Sequence, residues 1–72
     1  MENQLINEIR GLSDEELREY IDTFQNRVES TRDYIDSEDD MNILMVMRGK
    51  LQEYAYKLRL LRDELNRRAS SI

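Results

Sequence analysis

Residues 13–35, SDEELREYIDTFQNRVESTRDYI, hold both a helix start and the pattern of a helix that meets one neighbour. Ser13-Asp14-Glu15-Glu16 is a capping box. The serine hydroxyl accepts from the Glu16 amide, the Glu16 side chain reaches back, and three carboxylates sit at the positive end of the helix dipole. Behind the cap, Leu17, Ile21, Phe24, Val28, Thr31 and Ile35 follow one another at steps of 4, 3, 4, 3 and 4, a stripe one residue wide along a helix face.

Downstream, Leu44, Met47, Leu51, Tyr54, Leu58, Leu61 and Leu65 repeat the spacing, with Ile72 one heptad further on. Two such stripes in one chain predict an antiparallel hairpin. The joint falls in Asp36-Ser37-Glu38-Asp39-Asp40, where Ser37 with Asp40 three residues later repeats the capping logic and places a tight turn near Asp36 to Glu38. One unbroken helix through this segment, which lacks glycine and proline, is the alternative. A turn there pairs residues whose numbers sum to 75: Leu17 with Leu58, Ile21 with Tyr54, Phe24 with Leu51, Val28 with Met47 and Thr31 with Leu44.

Upstream, Leu5, Ile6 and Ile9 mark a short first helix, and Gly11-Leu12 has the form of a left-handed helix stop with its apolar contact. This helix is expected to cover Leu61, Leu65 and Ile72, where the third helix outruns the second. The expected architecture is all-α and a single domain over 1–72. A short N-terminal helix (about 2–10) precedes a long, coiled-coil-like hairpin (about 14–36 and 38–69), assembled into an oligomeric bundle.

Composition narrows the function. The chain has 72 residues, no Cys, no His and no Pro, so disulfides and the usual zinc, haem and thiol chemistries lack their ligands. No catalytic residue, metal site or cofactor is expected, and an enzyme is not. No apolar run is long enough for a membrane span or signal peptide, which reads as a cytoplasmic protein without a membrane partner. The net charge of −5 is split unevenly: 13 acids against 4 bases over 1–40, and 3 against 7 over 41–72. Mutual attraction of the two halves explains this more simply than a nucleic-acid surface.

Two features go beyond the hairpin seam. Met45, Val46, Gly49, Tyr56 and Leu60 form a second apolar stripe on the third helix, and a helix apolar on two sides is normally covered on two sides. Cover by the first helix and self-association are both open, with self-association favoured because a lone hairpin has little core. Arg18, Arg32, Arg48 and Arg62 all take e positions on one flank, so Arg18 is expected beside Arg62 and Arg32 beside Arg48. Such like charges oppose one another unless an anion or a partner's acids lie between them. Arg48 and Arg62 also lack a carboxylate one turn away on their own helix.

Glu38-Asp39-Asp40 lacks the spacing of a calcium loop and fits dipole compensation, and Arg67-Arg68 suits a helix C-terminus better than nucleic acid. The function expected is a small protein-interaction module: a homo-oligomeric regulator, adaptor, inhibitor or co-chaperone with a protein partner. The alternative is a sequestering protein for an anionic small molecule such as a nucleotide. In outline the hairpin looks like small helical co-chaperones of secretion systems and short phage or plasmid regulators, a likeness that carries over no functional position.

Overall fold

The computed structural model describes residues 2–70. Within them lie three helices, α1 (Glu2–Arg10), α2 (Asp14–Ser37) and α3 (Met41–Ser70), and no strand. The α2–α3 hairpin makes a rod of 48 × 23 × 17 Å, with α1 folded over its open end. Its radius of gyration is 14.4 Å, against roughly 11 Å for a compact domain of this length.

The capping box at the start of α2 forms as the sequence requires. The Glu16 amide donates to Ser13 Oγ at 3.1 Å and the Ser13 amide to Glu16 Oε1 at 3.2 Å. The turn differs from expectation. Ser37 is the last residue of α2, and its hydroxyl donates back to the carbonyls of Asp33 and Tyr34. Glu38 then turns its carboxylate on its own neighbours, accepting from the amides of Asp39 and Asp40 at 3.1 and 3.0 Å. The cap of α3 is Asp40, whose Oδ1 accepts from the Asn42 amide at 2.9 Å and whose carbonyl takes the Leu44 amide. The third helix therefore starts at Met41 rather than near residue 38. Two carboxylates compete for the amides here, and the later one captures the helix start.

Moving the turn moves the seam. The Phe24 and Tyr54 rings lie 6.1 Å apart, a pair whose numbers sum to 78, and Leu17 shares a buried cluster with Leu61 and Ile9. The expected pairs Leu17 with Leu58 and Phe24 with Leu51 are thus each displaced by one step of the stripe. Both stripes repeat at 3 and 4, so a one-step slide still sets apolar on apolar. Only the turn distinguishes the two registers. Arg27 sits over both rings, 5.2 Å from Phe24 and 5.8 Å from Tyr54.

The core lies at the open end of the hairpin. Ile9, Leu17 and Leu61 are buried together, with Leu5, Leu12, Ile21, Phe24, Leu60 and Leu65 packed against them. α1 thus covers Leu61 and Leu65 as its spacing implied, while Ile72 lies outside the described residues. Towards the turn the seam thins. Thr31, Ile35, Leu44, Met47 and Leu51 are all only half-buried.

Gly11 does not make the left-handed stop, because no described residue has a positive φ. Its amide instead donates to the carbonyls of Asn7 and Glu8, at 3.1 and 3.2 Å. The carbonyls at and just beyond the end of α1 are met from elsewhere, by the guanidinium of Arg68. Its Nη2 donates to Leu12 at 2.7 Å, Arg10 at 3.2 Å and Ile9 at 3.5 Å. A Cβ at Gly11 would meet only ordinary contacts of 3.5 and 3.6 Å, so the position does not require glycine.

Candidate functional site

The outer face of α3 divides into a covered and an open part. Leu60 is half-buried and packs against the cluster beneath α1, so the first helix covers that end of the stripe. Met45 and Val46 remain 69 % and 57 % exposed, and Tyr56 is exposed as well. Gly49 sits among them with nothing within 4 Å of the place a Cβ would occupy. Met41, 66 % exposed and one turn before Met45, extends the row. Sequence reasoning missed it, although it lay within the expected helix and its i−4 spacing from Met45 was the available signal. From Met41 to Gln52 the chain carries no carboxylate. This apolar row lies over the half of the hairpin whose seam residues, apart from the buried Val28, are only half-buried.

The arginine flank is rearranged by the new register. Arg62 Nη2 donates to Gln25 Oε1 at 3.0 Å, so Arg62 lies across from Gln25 rather than Arg18. Arg32 and Arg62 line one open groove of about 470 Å³ together with Arg59, Gln25, Glu29 and Asp63. Arg18 and Arg48 do not line it. The slide thus sets Arg62 against the Gln25 amide, with Ala55 lining the same groove. Arg59 was not singled out from sequence, since Asp63 stands one turn away and marked it as neutralised. In the fold the two acids and three bases of this groove make a mixed surface of small net charge.

A third cluster ties the termini of the helices together. Glu64 is buried and accepts from Arg67 Nε and Nη2, at 2.9 and 2.7 Å, and from Arg68 Nε at 2.8 Å. Arg68 Nη1 reaches across to Asp14 Oδ1 at 2.8 Å, while its Nη2 takes the α1 carbonyls described above. Hydrogen bonding from Arg67 and then Arg68 overcomes the effect of burial and holds the Glu64 carboxyl down at about 2. From sequence, Arg67 and Arg68 read as helix-end charges with Glu64 in reach. The long-range half of the clasp had no local signal.

At the turn, Tyr34 and Glu38 share a hydrogen bond that raises the tyrosine hydroxyl above its ordinary value. Glu38 is held low, first by the Asp40 amide and then by Tyr34. The carboxylates of Glu38 and Asp40 are occupied as caps, and no group of metal-ligating side chains gathers among the described residues. Among those residues, no helix is long and apolar enough to cross a membrane. No protein family, curated protein or solved structure matches the chain. Its chemistry is therefore read from these three surfaces: an open apolar face, a mixed-charge groove, and a closed clasp whose donors are already used.

Proposed function

We propose that this chain is a non-enzymatic protein-interaction module, a small regulator, adaptor, inhibitor or co-chaperone that docks through the outer face of α3. The observation that carries this reading is the row Met41, Met45, Val46 and Tyr56, exposed together over the thinly packed half of the hairpin. Scattered exposed apolar side chains are ordinary, but a contiguous row beside an incomplete seam marks a contact surface. Methionine suits such a face because its unbranched, polarisable side chain adapts to different partners.

A second reading is supported by the groove. Arg32, Arg59 and Arg62 bring three guanidinium groups to one concave surface, and guanidinium forks suit phosphate or carboxylate. In this reading the chain sequesters an anionic small molecule such as a nucleotide. Glu29 and Asp63 in the same groove oppose it, which is why the apolar face ranks first.

Native mass spectrometry of protein purified from cells separates the two. The interaction reading expects a protein complex that Met45→Glu abolishes and Arg62→Glu leaves intact. The anion reading expects a retained phosphate-bearing mass that Arg62→Glu removes and Met45→Glu spares. A bare monomer in every preparation contradicts both.

A further inference from the structure

We infer that the occupant of the α3 face is a second copy of this chain, packed antiparallel about a two-fold axis that runs between the two copies of α3, level with the midpoint of Gly49 and Gln52. This rests on reading that face as a docking surface.

Area is the first argument. The chain exposes 5639 Å², whereas a compact monomer of its mass exposes roughly 4,700 Å². The surplus of roughly 900 Å² is close to the ~800 Å² that each partner contributes to a specific interface. One partner of ordinary size is thus enough to bring the rod to the surface of a compact protein.

Symmetry is the second. A two-fold contact uses the same patch twice, so the patch must complement itself. Along α3 the face reads Met41, Met45, Gly49, Gln52 and Tyr56, with steps of 4, 4, 3 and 4. Run backwards against itself about its middle, Met45 of one copy comes level with Tyr56 of the other, a sulfur beside an aromatic ring. Gly49 comes level with Gln52, and the absent side chain leaves room for the two helices to approach.

Charge is the third. In the same arrangement each base falls level with a residue of the other copy that is not a base, Arg48 with Glu53 on the opposite flank, Lys50 with Leu51, and Arg59 with Asn42. No two bases meet at one height, and the two helix dipoles oppose.

The chain has no cysteine, so introduced thiols are the only ones present. Met45→Cys and Tyr56→Cys variants are to be mixed in equal amounts and treated with a short thiol cross-linker, beside each variant alone and wild-type protein in sedimentation velocity. The inference expects cross-linked dimer in the mixture severalfold above either single variant, and a dimeric wild-type chain. Cross-linking of Met45→Cys alone as readily as the mixture overturns the antiparallel arrangement. A wild-type monomer at every concentration, with no cross-linking, overturns the second copy as occupant. The two readings then separate: a complex with another protein that Met45→Glu still abolishes keeps the docking face, and indifference of every complex to Met45→Glu removes it too.

Discussion

Leu17→Ala is expected to produce the largest loss of stability of any single truncation in the chain, about 3–5 kcal/mol in urea or thermal unfolding. Leu17 is the one fully buried large side chain among the described residues, at 0 % exposure, and it sits where α1, α2 and α3 meet against Ile9 and Leu61. Removing it leaves a void that three helices line and none can fill. A domain this short holds only a few kcal/mol in reserve, so the variant should be largely unfolded at room temperature. The same truncation at Leu51, half-buried in the seam near the turn, should cost clearly less. A loss at Leu17 below about 1 kcal/mol, or one matched at Leu51, would show that the core is not centred beneath α1.

Arg68→Met should produce the second-largest effect and release α1. The side chain binds Glu64, Asp14 and the carbonyls of Ile9, Arg10 and Leu12, so its loss leaves a buried carboxylate with Arg67 alone and leaves the α1 carbonyls without that donor. Loss of protection from amide exchange over residues 2–10, with α2 and α3 still helical, is the expected signature. The clasp also sets a pH dependence. The Glu64 carboxyl titrates at about 2 in the fold against an ordinary 4.5. Its contribution is therefore complete above pH 4.5 and lost as the pH falls towards 2. Glu64→Gln should lower the melting temperature at neutral pH and flatten its fall across that acid window, leaving the smaller slope due to Glu38. An unchanged acid slope in Glu64→Gln would mean that the clasp does not hold the carboxylate ionised.

Local signals were legible in the sequence where they were also decisive. Ser13 with Glu16 fixed the start of α2, and the two stripes fixed an antiparallel hairpin with a short helix over its open end. The register was not legible, because stripes of identical spacing mate equally well one step apart. The choice rests on whether Ser37 or Asp40 caps the third helix, both within the same polar run. That choice propagated to the candidate site. It carried Arg62 from Arg18 to Gln25 and brought Arg32, Arg59 and Arg62 into one groove while leaving Arg18 and Arg48 outside it. The stop at Gly11 was misread for a related reason. A glycine after a helix signals a left-handed turn only when the last carbonyls need one, and here the Gly11 amide reaches Asn7 and Glu8 without it while Arg68, 57 residues downstream, meets the carbonyls that follow.

The proposed completion of the open α3 face by association is tested most directly by the dependence of the melting temperature on protein concentration. Association links folding to mass action, so the melting temperature of the wild-type chain should rise steadily over a hundredfold increase in concentration. Met45→Glu should melt lower and at a temperature that does not move. A wild-type melting temperature that stays fixed across the series would contradict the account, because the face would then be exposed in a chain that folds alone.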